Sequence, residues 1–288
     1  MKVDFFIVGA PKAGTTSLYN YLNEHPEIVM STKKETDYFS NESIEKQGMY
    51  YGKKRIITLE RYHSLFPVSE NKIYGEASVS YLFYKDVPKK IKDYNANAKI
   101  IVMLRNPVDR AFSHYLMDYR LGVSSNSFDQ IIKKKLNNKK AHLYYQQYVE
   151  LGLYYNQIKR YFDVFGKENV CIIFFKNFKS NPEKEVKRVY NFLGLVKNYK
   201  SEINKQYNTF SMLHNVYIRK LYSMVWLRKF LRVIIPKEIT KIIKSKLMKK
   251  DRKPELILDI RNKLKKLFIK DILLLEELLK KDLSRWTK

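Results

Sequence analysis

The sequence predicts an α/β fold, an open and mostly parallel sheet with helices on both faces, from three observations. Short runs rich in Ile, Val, Leu and Phe alternate along the chain with stretches in which apolar residues recur every three to four positions. These two patterns are typical of buried strands and amphipathic helices. A glycine loop, Gly9–Gly14, joins the first apolar run to the first helical stretch. The alternation predicts parallel strands linked by helices, with ligands bound at the carboxyl ends of the strands.

The strands and helices can be placed in order along the chain. The predicted strands are short and dense in apolar residues, and they are Val3–Val8, Ile73–Glu76, Lys99–Leu104 and Asn169–Phe175. Two of the predicted helices begin with proline, which is favoured in the first helical turn. The predicted helices are Thr15–Asn23, Pro107–Arg120, Leu151–Phe165, Pro182–Leu193 and Leu256–Leu279. Most of these elements form the predicted α/β core of residues 1–200.

A basic segment follows that core. Arg219–Lys253 contains 13 Lys and Arg against Glu238 and Asp251, with aromatic and aliphatic residues between the cations. We predict that 201–253 is a basic helical appendage, which either lies on an anionic membrane surface or packs on the core with a solvated rim. Closing helices are predicted for 254–288. Because no repeat or low-complexity linker divides the chain, all 288 residues are expected to form one domain.

Composition excludes several classes of protein. With 56 Lys and Arg against 29 Asp and Glu, the net charge is +27, which favours negatively charged partners such as phosphorylated cofactors, polysaccharides, lipid headgroups or nucleic acid. A hydrophobic content of 45% excludes a mainly disordered chain. The single cysteine, Cys171, excludes a disulfide framework and a cysteine-rich zinc site. The sequence shows no secretory leader and no apolar run long enough to span a membrane, so we expect a cytoplasmic protein with a possible peripheral membrane role.

The glycine loop is the first candidate site. G-A-P-K-A-G-T-T at Gly9–Thr16 resembles a Walker A loop, but Thr15 stands where that loop has its lysine, and Lys12 lies inside the loop instead. Backbone N–H groups at a helix start bind anions, so we expect a phosphate-like group here. The alternative is a surface turn whose hydroxyls only cap the helix. The residues expected to bind are Lys12, Ala13, Gly14, Thr15, Thr16 and Ser17.

A second candidate phosphate site follows the predicted strand Lys99–Leu104. The segment R-N-P-V-D-R-A-F-S-H-Y places Arg105 at the carboxyl end of the strand and Ser113 two turns into the next helix. A forked guanidinium and a hydroxyl suit a second phosphate in the same crevice. Alternatively, Arg105 caps a buried carboxylate and Ser113 is a small packing residue.

Together these motifs resemble one enzyme family. Pro11–Leu18 resembles the 5′-phosphosulfate-binding loop of sulfotransferases that use 3′-phosphoadenosine 5′-phosphosulfate (PAPS), and Arg105–Tyr115 resembles their 3′-phosphate-binding segment. Further segments are similar to the heparan-sulfate-type carbohydrate sulfotransferases, namely Lys34–Phe39, Tyr74–Leu82, Gly152–Tyr154, Phe165–Val170 and the final Leu275–Trp286. The resemblance implies transfer of a sulfuryl group from PAPS, without a metal, to a hydroxyl or amine of a carbohydrate or glycolipid.

The resemblance also implies catalytic roles. Lys12 is expected to offset the charge of the leaving phosphate, and Glu35 to act as the general base that deprotonates the acceptor. Neighbouring Lys33 and Lys34 favour an ionised Glu35. Alternatively, Glu35 only pairs with lysines on a solvated loop, or a histidine is the base, as in some related sulfotransferases. The candidate histidines are His25, His63 and His114.

One position departs from the family pattern. Many members have a lysine directly after the residue equivalent to Glu76, whereas this chain has Ala77. The lysine contact is therefore absent, or another lysine supplies it. Glu76 itself is expected either to orient the acceptor or to hold a neighbouring arginine.

Two other classes of function are consistent with parts of the sequence. A P-loop kinase would need the Walker lysine and a magnesium-holding pair, and the displaced lysine disfavours it. A nucleic-acid or anionic-membrane binding protein would suit the net charge of +27. No nucleic-acid-binding module is recognisable, so nucleic acid is not the expected partner.

Overall fold

A five-stranded, all-parallel sheet forms the centre of the protein, with strand order β2-β3-β1-β4-β5. The computed structural model describes residues 1–48, 51, 55–195, 199, 212–213, 248–249 and 254–288. The strands are β1 Phe5–Gly9, β2 Ile28–Met30, β3 Ile73–Ala77, β4 Lys99–Leu104 and β5 Val170–Phe174. A separate two-stranded antiparallel pair joins Met212–Leu213 to Met248–Lys249. The predicted open parallel sheet is confirmed.

Helices connect and cover the strands. Those before β4 are α1 Thr15–Asn23, α2 Asn41–Gln47, α3 Leu59–His63 and α4 Val87–Tyr94. Those after β4 are α5 Pro107–Leu121, α6 Phe128–Ile132, α7 Ala141–Tyr148, α8 Tyr154–Phe165, α9 Phe175–Ser180, α10 Pro182–Leu193 and the C-terminal helix Leu258–Leu279. Short 3₁₀ turns lie at Glu150–Gly152, Lys167–Asn169 and Ser284–Trp286.

The order of the strands locates a ligand crevice. The connection from β1 to β2 runs toward one edge of the sheet, whereas those from β3 to β4 and from β4 to β5 run toward the other. Right-handed crossovers then place α1 on one face and α4 and α8 on the opposite face. The contacts agree, because α1 packs with α10, and α4 packs with α8. The crossovers reverse direction between β1 and β4, and ligands bind at such a switch point.

Both central strands are buried, as their apolar sequences predict. All five residues of β1 are buried, and in β4 only Lys99 is partly exposed. The bounds of the other predicted strands shift by one or two residues. The edge strand β2 is not predicted, since its three residues are too few to show a period and their extended form depends on pairing with β3.

One predicted helix begins three residues later than expected, and the C-terminal helix begins two residues later, at Leu258. Leu151–Phe165 is helical only from Tyr154, because Glu150–Gly152 forms a 3₁₀ turn. Asp271 of the C-terminal helix accepts the N–H of Tyr154 at 2.7 Å and so caps the start of α8. This contact ties the end of the chain to the α/β core.

The C-terminal helix confirms the amphipathic pattern predicted for that region. Its buried residues recur every three to four positions, and they are Ile260, Leu264, Phe268, Ile272 and Leu275. It packs against α8 and α5. The basic segment 201–253 lies outside the described residues, apart from the antiparallel pair, so its helical structure and membrane contact stay predictions. In the described part of the chain, no helix combines the length and apolar character needed to cross a membrane.

Candidate active site

A cleft of about 770 Å³ lies at the carboxyl ends of the strands. Each of the five strands is followed by at least one residue that lines this cleft, as expected for a ligand site on a parallel sheet. They include Lys12 after β1, Glu35 after β2, Ser80 after β3, Arg105 after β4 and Phe175 after β5. The sheet therefore brings the two phosphate motifs and the candidate base into one cavity.

The glycine loop presents the start of α1 to this cleft. Gly14 has φ +95, and a Cβ there would lie only 3.0 Å from the ring of Phe175, so only glycine fits without strain. Helix α1 begins at Thr15 with no side-chain cap, which leaves its first N–H groups available to an anion. Of the predicted loop residues, Ala13 alone does not line the cleft. It is fully buried, and its N–H donates to the Ala10 carbonyl at 3.2 Å.

Lys12 lies in the cleft in a backbone conformation that non-glycine residues rarely adopt, with φ 69. Its ammonium lies 3.3 Å from the thioether sulfur of Met117 on α5. Burial, together with the positive charge of Arg120, lowers the pKa of Lys12 to about 8, although Asp118 acts in the opposite direction. A desolvated cation at this position is suited to offset negative charge on a bound anion.

Arg105 links the two phosphate motifs. It donates from Nη1 to the Lys12 carbonyl at 3.0 Å, and its guanidinium lies 4.7 Å from the centre of the Phe175 ring. The carboxylate nearest to it in sequence, Asp109, pairs instead with Arg261 at 3.2 Å. The geometry therefore does not support the alternative in which Arg105 caps a buried carboxylate.

Ser113 lines the cleft from α5, as predicted. Two further residues of α5 that were not predicted from the sequence also line it. Met117 and Arg120 follow Ser113 by four and seven positions and line the same cavity. That spacing places all three on one face of a helix. The same spacing, counted from Ser113 along the predicted helix Pro107–Arg120, would have identified Met117 and Arg120 from the sequence.

Glu35 is held at the cleft by contacts at both carboxylate oxygens. Oε2 accepts the Val79 N–H at 2.8 Å, and Oε1 pairs with the Lys34 ammonium. The Lys34 side chain is 18% exposed and the Glu35 side chain is 21% exposed. The backbone N–H of Glu35 donates to the Ala77 carbonyl at 2.9 Å. Glu35 does pair with a lysine, but its loop is bonded to the sheet rather than free in solvent.

Two of the three candidate histidines lie away from the cleft. His25 is buried, its Nδ1 accepts the Glu27 N–H at 3.1 Å, and its ring packs on Tyr190. His63 lies on α3 with Nε2 3.0 Å from the Tyr94 hydroxyl. Neither residue lines the cavity that contains Lys12 and Arg105.

His114 does line the cleft, but both of its ring nitrogens have partners in the protein. Nε2 lies 2.8 Å from the Tyr51 hydroxyl, while Nδ1 lies 3.1 Å from the Gln147 carbonyl and 3.3 Å from Nη1 of Arg110. Burial and the adjacent Arg110 charge lower the pKa of His114 well below its ordinary value. Its surroundings therefore favour a neutral structural residue over a general base.

Glu76 has a different environment from the one predicted. It is fully buried, does not line the cleft, and its carboxylate accepts hydrogen bonds from four hydroxyl groups. These belong to Thr36, Tyr62, Ser78 and Tyr81. Among the described residues, no arginine pairs with this carboxylate, and burial raises the pKa of Glu76 despite the hydroxyl contacts.

The cleft is also lined by polar residues that belong to no sequence motif. Asn41 and Gln47 reach it from α2, Tyr84 from the segment after β3, and Gln146 from α7. Gln47 donates through Nε2 to the Tyr84 hydroxyl. Only the fold brings these amides and the hydroxyl together, which explains why their segments show no readable pattern. In the residues described, no group of three or more His, Cys, Asp and Glu is placed to hold a metal ion.

Comparison with protein-family models and solved structures gives a consistent result. A model described as a sulfotransferase domain matches residues 2–270. The crystal structure of a sulfotransferase from Alicyclobacillus acidocaldarius superposes with a TM-score of 0.73 at 30% identity, covering 100% of both chains. The alignment of the two structures therefore runs the length of both chains.

Curated relatives are more distant. Human carbohydrate sulfotransferase 15 is 26% identical over 243 residues, which cover 66% of this chain and 43% of the relative. The mouse bifunctional heparan sulfate N-deacetylase/N-sulfotransferase 1 is 26% identical over 196 residues, covering 66% of this chain and 22% of the relative. The chain thus spans less than half the length of these relatives.

Proposed function

The chain belongs to the sulfotransferase family, whose sulfuryl donor is PAPS, and we propose that its acceptor is a hydroxyl or amine of a carbohydrate or glycolipid. The observation that supports this function most strongly is the contact between the two phosphate motifs. Arg105 donates to the carbonyl of Lys12 at 3.0 Å, in the same cleft that contains Glu35. One cavity therefore combines sites for two phosphate groups with a carboxylate that can accept a proton.

The residues of the cleft fit the donor. PAPS carries phosphate groups at the 5′ and 3′ positions of its ribose, and the 5′-phosphate bears the sulfuryl group that is transferred. The uncapped start of α1 and the Lys12 ammonium suit the 5′-phosphosulfate, while the Arg105 guanidinium and the Ser113 hydroxyl suit the 3′-phosphate. The remaining residues proposed to bind the donor are Gly14, Thr15, Thr16 and Ser17, with Ala13 contributing to the shape of the loop.

We assign Glu35 as the general base. Its two carboxylate oxygens have fixed partners, the Val79 N–H and the Lys34 ammonium, so the group cannot rotate freely. A base must be held within hydrogen-bond distance of the proton that it removes. Each oxygen retains a further lone pair for the acceptor hydroxyl or amine.

Polar side chains in the lining of the cleft support a carbohydrate acceptor. They are the amide and hydroxyl groups of Asn41, Gln47, Ser80, Tyr84 and Gln146. These groups both donate and accept hydrogen bonds, as sugar hydroxyls require. The names of the curated relatives, carbohydrate and heparan sulfate sulfotransferases, point to the same class of acceptor.

A thermal-shift measurement tests the donor site against a kinase-type site. The product nucleotide, 3′-phosphoadenosine 5′-phosphate, should raise the melting temperature in the presence of EDTA, because no metal is needed to hold it. Stabilisation by magnesium-ATP but not by this nucleotide would contradict the proposal. Mass spectrometry of candidate glycans and glycolipids after incubation with PAPS then identifies the acceptor.

Substitution of Arg105 should separate the two phosphate sites. Arg105→Ala is expected to weaken binding of 3′-phosphoadenosine 5′-phosphate by about 1.5–3 kcal/mol, because a charge-assisted contact is lost. Affinity for adenosine 5′-phosphate, which lacks the 3′ group, should barely change. Calorimetric titration of both nucleotides measures the difference, with exposed Arg61→Ala as the control. An equal loss for both nucleotides would show that Arg105 supports only the loop.

The lowered pKa of Lys12 predicts a dependence on pH. Its ammonium is charged below pH about 8 and loses its proton above that value in the donor-free protein. At saturating acceptor, kcat/KM for PAPS should therefore fall as the pH rises through about 8. Lys12→Arg keeps its charge at higher pH and should lack this alkaline limb. A wild-type profile that stays flat through the same range would contradict the assignment.

A further inference from the structure

Glu76 lies at the centre of a buried cluster of hydroxyl groups behind the cleft. Oε1 accepts from the hydroxyls of Thr36 and Ser78, the latter at 2.6 Å. Oε2 accepts from Tyr62 at 2.7 Å and Tyr81 at 3.2 Å. In the described residues this carboxylate has no ion pair, and its exposed fraction is 0%. We refer to these five residues as the Glu76 cluster.

The stability of the fold does not explain why a carboxylate is buried among hydroxyl groups. Burial of a carboxylate without a cation is costly, and well-packed apolar residues of similar size often stabilise a core as much or more. Such a polar group is retained where it fixes one conformation of its neighbours. The function of the Glu76 cluster therefore depends on which residues it fixes.

Those residues belong to the loop that carries Glu35. Three successive positions of this loop are bonded to the end of β3 and the residue after it. Glu35 donates its N–H to the Ala77 carbonyl at 2.9 Å, and Asp37 donates its N–H to the Ser78 hydroxyl at 3.1 Å. Between them, Thr36 donates its hydroxyl to Glu76, which anchors the loop in the protein interior.

The loop needs such an anchor because its backbone is strained. Glu35 has φ 61 and Asp37 has φ 54, values that non-glycine residues seldom adopt. Such conformations persist only where surrounding contacts determine them. Thr36 lies between the two strained residues, with an exposed fraction of 2%. Without its hydroxyl contact, the loop is expected to relax and the Glu35 carboxylate to move.

We propose that Thr36 and Glu76 are positioning residues, which hold the Glu35 carboxylate where it can deprotonate the acceptor. The proposal rests on the proposed role of Glu35 as the base. Glu76 does not line the cleft. Thr36 does line it, but its side chain is 2% exposed and its hydroxyl is donated to Glu76 rather than offered to a ligand. Their effect on turnover is transmitted through the backbone of the loop.

A pair of substitutions at Thr36 tests the proposal. Thr36→Val keeps the shape of the side chain but removes the hydroxyl, whereas Thr36→Ser keeps the hydroxyl. A displacement of about 1 Å at a reacting group can lower a rate about 10²-fold. We therefore expect kcat to fall about 10- to 100-fold in Thr36→Val and to remain within about threefold of wild type in Thr36→Ser. The dissociation constant of 3′-phosphoadenosine 5′-phosphate, measured by calorimetry, should be unchanged in both.

Controls separate positioning from general loss of stability. Thr58→Val removes a threonine hydroxyl that caps α3 on the surface, so it should lower the melting temperature without lowering kcat. In a Glu35→Gln background, Thr36→Val should cause no further loss of rate, since no base remains to be positioned. If Thr36→Val does not fold, Ser78→Ala removes another hydroxyl of the Glu76 cluster and is measured in the same way.

Results that contradict the positioning role can be distinguished from results that contradict the proposed base. Equal kcat values for wild type, Thr36→Val and Thr36→Ser would overturn the positioning role even if Glu35→Gln is inactive. A loss of nucleotide affinity that matches the loss of kcat would overturn it as well, because it would show a general structural effect. Full activity of Glu35→Gln would instead remove the proposed base, and the positioning role with it.

Discussion

Replacement of Lys12 by alanine is expected to lower kcat about 10²-fold or more while the affinity for 3′-phosphoadenosine 5′-phosphate remains largely intact. The reason lies in where charge develops. The Lys12 ammonium is desolvated in the cleft, and Arg105 donates to the Lys12 carbonyl. In the proposed mechanism this ammonium offsets the charge that appears on the leaving phosphate. In the proposed donor site the product nucleotide also contacts the start of α1 and Arg105, so we expect its binding to depend less on Lys12.

Single-turnover rates with PAPS and calorimetric titration with the product nucleotide measure the two effects. Lys89→Ala, which removes an exposed cation on α4, is the matched control and should change neither. Wild-type activity should also survive EDTA. If nucleotide affinity falls as much as kcat does, then Lys12 is a binding residue only, and a strict requirement for magnesium would favour a kinase-type reaction.

Glu35→Gln should have the second large effect. The amide keeps the shape of the side chain but cannot act as a base, and general-base catalysis contributes about 10²- to 10⁴-fold. Transfer should fall by that factor while PAPS and its product still bind. The control is Glu42→Gln, which alters an exposed carboxylate on α2 outside the cleft lining. An equal loss of nucleotide binding would make Glu35 a structural partner of Lys34 instead.

The local motifs of this protein could be predicted because each is a continuous segment. The run of apolar residues in β1, the glycine loop and the start of α1 specify a strand, a loop and an uncapped helix start without reference to the rest of the chain. The same holds for β4 and the Arg105 segment. Parallel pairing of β1 with β4 then places the glycine loop and the Arg105 segment side by side at the carboxyl ends of these strands. The contact between Arg105 and the Lys12 carbonyl follows from that topology.

Other features depend on contacts between distant segments and have no local pattern. The surroundings of Glu76 come from the loop after β2, from α3 and from the end of β3, so no single segment shows that its partners are hydroxyl groups. The short strand β2 likewise exists through its pairing with β3. In the lining of the cleft, Gln47 donates a hydrogen bond to Tyr84 from a separate element. Sequence spacing predicts faces of one helix, but it does not predict which faces meet.

The most direct test of the central claim follows radioactive sulfur from PAPS in a buffer that contains EDTA. Wild-type protein should transfer the label to a carbohydrate or glycolipid acceptor and release 3′-phosphoadenosine 5′-phosphate in equal amount. Glu35→Gln, at a concentration where it is saturated with PAPS, should leave the label on the donor. If the label never enters an acceptor while the protein transfers phosphate from magnesium-ATP, the assignment of this cleft to sulfuryl transfer is contradicted.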